Sequence, residues 1–228
     1  MATAVLAGST GQVGSLILAN LFAHPSFSAV YAYTRRDLPN PTASTKLNSI
    51  VSADTTRWGS LFPRELAPKI MFSGLGTTKA GAGSLENQRK IDYDLNLELA
   101  KAAKDAGVDT YVLISSAGAN SKAMFAYPKM KGELEDAVRA LGFKHTVLLR
   151  PGFIAGERTS RETALAENAL KWVAKGLGGL SNALKDPWAQ DGELIAKAAV
   201  AAGVKCLEGR EGGVWEVGQG EIVKLGRQ

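Results

Sequence analysis

Short unbroken apolar runs alternate along this chain with longer stretches of helical spacing, and the alternation lasts to residue 149. Ala4 to Ala7 reads as a first strand. Val13 to Ala23 follows, with Val13, Leu16, Ile17, Ala19 and Leu21 on or near one helical face. His24-Pro25-Ser26 breaks that pattern, and Ala29 to Thr34 reads as a second strand. Leu38 to Ser44 is a loop of Pro, Asn, Ser and Thr. Lys46 to Ser52 is the expected third strand, Trp58 to Pro68 a short helix or irregular crossover, and Lys69 to Ser73 a fourth strand. Lys79 to Gly83 reads as a flexible Gly/Ala loop. A long helix is expected from Ser84 to Ala106, capped by Ser84 and ended by Gly107. Thr110 to Ile114 is a fifth strand, Ala117 to Ala126 a loop, Pro128 to Leu141 a helix and Lys144 to Leu149 a sixth strand.

Strands and helices in strict alternation predict a doubly wound α/β fold with a parallel sheet. Arg150-Pro151-Gly152 interrupts the rhythm. Beyond it, Thr159 to Lys175 reads as helical, Gly176 to Gly179 as a break with Ser181 to Trp188 after it, and Asp191 to Gly203 as an alanine-rich helix. Val214 to Val217 is a last strand, and Glu221 to Leu225 is strand or helix. One domain over residues 1–228 is expected, with its core in 1–150. Residues 151–228 would add a small helical lobe on the substrate side and the last strand.

The first strand and first helix are joined by Gly8-Ser9-Thr10-Gly11-Gln12-Val13-Gly14. In that position Gly8 permits a tight turn, Gly11 lets backbone approach a pyrophosphate, and Gly14 lets the helix pack close to the strand. The first helical amides then face the phosphates. At the end of the second strand, NAD-preferring folds carry an acidic residue, but here stand Thr34, Arg35 and Arg36. A guanidinium pairs with a 2′-phosphate through two parallel hydrogen bonds, which favours NADP(H). The rival reading is a solvated arginine pair beside Asp37. Asp54, beyond the third strand, either accepts from an adenine amino group or caps the next turn. A second glycine turn, Gly74-Leu75-Gly76-Thr77-Thr78, ends the fourth strand.

Tyr127 and Lys131 share one helical face. An ammonium beside a phenol favours the phenolate, so such a tyrosine exchanges a proton with a carbonyl or alcohol oxygen. Ser115 or Ser116, at the end of the fifth strand, would hold that oxygen.

The rest of the composition narrows the field. The net charge of +5 suits a phosphorylated cofactor but is dispersed, which argues against nucleic-acid binding. Cys206 is the only cysteine, so no internal disulfide forms. With only His24 and His145 beside it, a typical zinc site is not expected. No secretory signal, Arg-rich presequence or transmembrane stretch is expected.

Several blocks carry a resemblance. They are the N-terminal glycine turn, the stretch Gly74 to Gly83, Val112 to Ala119, Tyr127-x-x-x-Lys131-Gly132-Glu133 and Arg150 to Arg158. Together they resemble the atypical short-chain dehydrogenases/reductases of the Tat-interacting-protein type. Within these, the chain is similar to the fungal found-in-mitochondrial-proteome protein 52 family, over nearly its whole length. The resemblance implies a Rossmann-type NAD(P)-binding fold and a peripheral place at the cytosolic face of the mitochondrial outer membrane. It also implies residue roles. Ser9, Thr10, Gly11 and Gln12 would lie along the pyrophosphate, Arg35 and Arg36 at the 2′-phosphate, and Leu75 and Gly76 beside the adenosine ribose. Tyr127 would be the proton donor, with Lys131 its partner and a contact of the nicotinamide ribose. Pro151, Gly152 and Phe153 would flank the nicotinamide, and Arg158 would stand near the mouth. Pro128 departs from the pattern, since it biases Tyr127 away from helical backbone. Asn96 would be a relay asparagine or simply an exposed helical one.

Two functional readings follow. One is an NADPH-dependent oxidoreductase reducing a small carbonyl compound. The other is a redox-silent NADPH-binding sensor acting through a partner or membrane. The amphipathic, basic stretch Thr163 to Lys185 is either a lid over the site or a membrane contact. The helices at 84–106 and 128–141 either form a homodimer face or stay solvated.

Overall fold

The computed structural model describes residues 1–40, 42–155 and 189–228. β1 (Ala2–Ala7) leads into α1 (Gln12–Ala23), β2 (Phe27–Thr34) and β3 (Leu47–Val51). Two single 3-10 turns, Thr55–Arg57 and Arg64–Leu66, precede β4 (Ile70–Ser73). Then come α2 (Lys79–Ala82), α3 (Leu85–Arg89), a π-helical segment Lys90–Leu95 and α4 (Asn96–Asp105). β5 (Thr110–Ile114), α5 (Ala126–Ala140), β6 (His145–Leu149) and β7 (Phe153–Ala155) follow. The last elements are β8 (Ala189–Asp191), α6 (Gly192–Leu207), β9 (Gly213–Val217) and α7 (Gln219–Gly226).

Seven strands form one sheet in the order β3-β2-β1-β4-β5-β6-β9, and every neighbouring pair is parallel. The winding reverses between β1 and β4, which opens a crevice at the C-terminal ends of those strands. This is the doubly wound arrangement the alternation predicts. Along β1, Ala4 and Leu6 join the core under α1 and α6, while Val5 and Ala7 join the core under α4 and α5. Both faces are covered, so the strands read as continuous apolar runs instead of alternating ones. Fully buried Ile17, Leu21 and Leu99 each contribute about 1.5–3 kcal/mol of burial. Gly203 brings α6 close to the sheet: a Cβ there would lie 2.6 Å from Ile70 Cδ1.

Several expectations are corrected. The helix expected over 84–106 is broken by the π-helical segment, whose wider turn rotates the residues after it. Lys79–Ala82 is a helical turn capped by Thr78, not a flexible loop. α5 begins at Ala126, so Tyr127 is helical despite Pro128. Pro128 sits in the first turn, where its missing N–H would have had no partner in the helix. The C-terminal segment at 221–225 is helical, with Ile222 and Leu225 buried. The pairing of β7 with β8 had no sequence signal. The last strand docks as β9 beside β6. The expected helix 159–175, the segment Ser181 to Trp188, the stretch Thr163 to Lys185 and Arg158 lie outside the described residues.

Candidate dinucleotide and catalytic site

The glycine turn leaves β1 with Gly8 at φ +85°, a conformation that favours glycine. Gly11 N donates to Gly8 O at 2.9 Å and closes the turn. A Cβ on Gly14 would collide with the Gly8 carbonyl, and one on Gly8 would lie 2.6 Å from the Gly74 carbonyl carbon. The two glycine turns, after β1 and β4, therefore pack on each other at the crevice. α1 begins with no side-chain cap and no acidic residue in its first turn, so no carboxylate offsets the positive end of its dipole. Ser9 is buried, and its hydroxyl donates to Tyr33 O at 2.8 Å, tying the turn to β2. Its hydroxyl is thus engaged within the fold. Val13 is likewise a core side chain. Thr10 is exposed and Gln12 half-buried. Beside the turn, a groove of about 710 Å³ runs from Ser9 and Thr10 along α1 to Phe22 and Leu38.

At the end of β2, the buried Thr34 hydroxyl donates to Arg36 O at 2.6 Å. That bond shapes a tight bend, from which Arg35 and Arg36 stand out in solvent. Asp54 caps the turn Thr55–Arg57: Thr56 N donates to Oδ1 at 3.0 Å and the Thr56 hydroxyl at 2.6 Å. Those bonds hold its carboxyl below the usual range. The capping bond expected of it is thus present.

The loop leaving β4 is held from one side by polar residues spaced one helical turn apart. Gln88 Nε2 donates to Thr77 O at 3.0 Å. Asp92 Oδ1 accepts from Thr77 N at 2.7 Å. Asn96 Nδ2 reaches Asp92 O at 3.1 Å and lies 3.5 Å from Leu75 O, while Asn96 Oδ1 accepts from the Ser73 hydroxyl. All three side chains are buried. Asn96 is therefore not an exposed helical residue. Its signal in the sequence was the repeat of polar residues at 88, 92 and 96 among Leu95 and Leu99. Leu75 is half-buried and Gly76 exposed on this loop.

Ser115 directly follows β5, its N donating to Leu149 O at 2.7 Å. Its hydroxyl is buried with no hydrogen-bond partner among the described residues. Ser116 is half-buried beyond it. Lys131 is only 3% exposed, and its Nζ donates to Ile114 O at 3.1 Å. Burial pulls its pKa below the ordinary lysine value, against the opposing pull of Asp92 and Glu135. Tyr127 lies one turn nearer solvent on the same helix, 42% exposed. The structure thus gathers Ser115 and Lys131 at the end of β5, with Tyr127 one turn before Lys131 on α5. Gly132 lets α5 lie against the loop after β5, where a Cβ would strike the backbone of Asn120.

Behind Lys131, Glu135 is fully buried and bound by Arg150 and Arg139, both of which also reach Glu216. This network, missed from sequence, fixes α5 to the ends of β6 and β9. Pro151 O accepts from Ala117 N at 2.8 Å, which places the Arg-Pro-Gly bend against the loop after β5. Pro151 is buried, Gly152 half-buried, and Phe153 opens β7.

Comparison with known proteins adds context. The HIM1 family model matches residues 59–175. Protein fmp52-1, mitochondrial, of Aspergillus oryzae is 50% identical over 232 residues, covering 99% of this chain and 98% of the relative. Protein fmp-52, mitochondrial, of Neurospora crassa is 45% identical over 229 residues, covering 98% and 94%. Among solved structures, the Bordetella bronchiseptica enzyme WbmH in complex with NAD+ superposes with a TM-score of 0.65 at 16% identity, covering 95% of this chain and 75% of that one. A short chain dehydrogenase family protein from Francisella tularensis gives 0.66 at 13%, covering 97% and 98%. At such identities the likeness is one of fold.

Proposed function

Because the chain belongs to the fungal mitochondrial fmp52 family, matched by the HIM1 model, we propose that it is an NADPH-binding oxidoreductase that reduces a small carbonyl compound. The observation that carries this reading is the Gly8–Gly14 turn packed on Gly74 at the switch of the sheet, two strands from Ser115 and Lys131. The crevice fits a dinucleotide: the close glycine contacts leave no room for side chains at the turn, and the buried Ser115 hydroxyl has no hydrogen-bond partner among the described residues. The amides of residues 9–12 would take the pyrophosphate, Arg35 and Arg36 the 2′-phosphate, and Leu75 and Gly76 the adenosine ribose. Pro151, Gly152 and Phe153 would border the nicotinamide, and Arg158 the mouth.

A reduced nicotinamide held there would supply the hydride that the carbonyl carbon takes up. Ser115, or Ser116 beside it, holds the carbonyl oxygen by donating a hydrogen bond. Tyr127 gives its phenolic proton to that oxygen as the alcohol forms. Lys131 lends positive charge that stabilises the resulting phenolate.

A second reading is a redox-silent NADPH sensor. It is favoured by the bond from Lys131 Nζ to Ile114 O, which ties the ammonium to the C-terminal end of β5. Its place would be peripheral, on the cytosolic face of the mitochondrial outer membrane. No described helix is long and apolar enough to cross a membrane.

Titration with NADPH and NADH, followed by nicotinamide fluorescence, tests the cofactor half. The Arg35→Ala/Arg36→Ala variant is expected to bind NADPH roughly tenfold or more weakly, since charge-assisted bonds are lost. Its NADH affinity should not change. Absence of binding by either nucleotide to the unaltered protein would refute both readings.

A further inference from the structure

We propose that Gln88, Asp92 and Asn96 are positioning residues for the adenosine half of the cofactor: together they fix the backbone leaving β4 and so set the slot between the two glycine turns. The loop is anchored at its start and held at its end. At the start, Gly74 N donates to Ala7 O at 2.9 Å, and Gly74 packs on Gly8. At the end, side chains take both backbone polar groups of Thr77. Its N–H donates to Asp92 Oδ1 at 2.7 Å, and its carbonyl accepts from Gln88 Nε2 at 3.0 Å. One turn further along the helix, Asn96 Oδ1 accepts from the Ser73 hydroxyl. Between these anchors, Gly76 offers bare, exposed backbone. Thr78 then caps α2, accepting from Gly81 N at 2.9 Å, so the held segment ends where a helix begins.

Two features separate this arrangement from ordinary packing. First, all three polar side chains are buried. Burying them costs free energy unless each is hydrogen-bonded, and an apolar face would pack a loop without that cost. What satisfied polar groups add is a unique position for the backbone they hold. Secondly, the π-helical segment Lys90–Leu95 lies within the ladder. In an α-helix, residues four apart drift by about 40° around the axis, so positions 88 and 96 would stand about 80° apart. A π turn, bonded from i to i+5, winds more loosely and takes up drift between 92 and 96. The ladder thus stays aligned along the loop. A loop already held in its binding shape need not be ordered by the ligand, and that preorganisation raises affinity.

The role toward adenosine rests on the NADPH reading; the hold on the loop does not. The purified protein, Gln88→Met, Asp92→Ala and Asp92→Asn are titrated with 2′,5′-ADP by calorimetry. Hydrogen exchange over residues 73–78 is followed with and without that ligand. Methionine at 88 keeps the length and loses the donor, whereas asparagine at 92 keeps an oxygen for Thr77 N–H. Q88M and D92A are expected to bind 2′,5′-ADP roughly tenfold more weakly and to exchange faster over 73–78, with 110–114 unchanged. D92N should stay within about threefold of the unaltered protein. Saturating 2′,5′-ADP should restore slow exchange in Q88M, because the ligand then orders the loop. Affinity or exchange in Q88M equal to that of the unaltered protein overturns the proposal, as does faster exchange that extends over 110–114. D92N as weak as D92A overturns the acceptor role of Asp92. Should D92A fail to fold, Q88M, which changes no charge, decides alone. An unaltered protein that does not bind 2′,5′-ADP refutes the NADPH reading and the adenosine role with it, while the exchange arm still decides whether the ladder holds the loop.

Discussion

Arg150 grips Glu135 at two points: its Nε donates to Oε1 at 3.0 Å and its Nη2 donates to Oε2. The carboxylate is buried, and Arg139 from the next helical turn reaches it at 3.1 Å. Glu216 on β9 then accepts from both guanidinium groups. The result is a cross-brace between the helix carrying Tyr127 and Lys131 and the strand leading to the Arg-Pro-Gly bend. Glu135→Ala leaves two guanidinium groups without their buried partner and should cost about 3–5 kcal/mol. Urea unfolding at pH 7 measures this. A loss under about 1 kcal/mol, the range of a surface pair, would mean that the brace is ornamental.

The glycine turn makes a contrasting pair of predictions. A methyl group on Gly14 meets the Gly8 carbonyl, which is backbone and has no rotamer to change. Gly14→Ala should therefore destabilise by about 1–3 kcal/mol or more and shift the turn enough to abolish nucleotide binding. A Cβ on Gly74 comes only to 3.4 Å from Gly14 Cα. Gly74→Ala should fold with a small loss. Thermal unfolding and NADPH titration of both variants decide the matter, and equal effects would contradict the packing described.

How much of this was legible in the sequence depends on what each residue packs against. The strands were readable because helices cover both sheet faces, so runs such as Tyr111 to Ile114 are wholly apolar. Gly8 was readable because its conformation and its contact with Gly74 both exclude a side chain. Gln88 and Asp92 draw no reading and Asn96 stays open, since polar residues one turn apart look like a solvent face. Only the loop they hold, distant in sequence, makes them interior. Arg150 read as punctuation because its partners, Glu135 and Glu216, come from other elements. β7 and β8 span three residues each, too few for any periodicity.

Tyr127 separates the enzyme from the sensor. Tyr127→Phe removes one hydroxyl from a side chain that is 42% exposed, so stability should hardly change. If Tyr127 is the proton donor, carbonyl reduction with NADPH should fall about 10²–10⁴-fold while NADPH affinity is kept. Turnover measured over a carbonyl panel, beside fluorescence titration, gives both numbers. Equal turnover in the variant would remove Tyr127 from the chemistry.

His145 gives a dependence on pH that needs no cofactor. It opens β6, paired through its backbone N–H to Asp109 O at 3.0 Å, and its ring Nδ1 has no partner among the described residues. Burial lowers its pKa below the ordinary 6.5; the charges of Lys144 and Arg210 lower it further, and Asp109 opposes them. As pH falls through 6.5, the unfolded chain takes up the proton while the folded chain still resists it. Stability present above that pH is therefore lost between 6.5 and the lower folded-state value. His145→Gln, which cannot charge, should show a shallower fall in unfolding free energy over the same interval. Denaturant unfolding at closely spaced pH values reads the slope, and proton NMR of the imidazole reads the midpoint. A folded-state midpoint at or above 6.5, or equal slopes in the two proteins, would contradict the assignment.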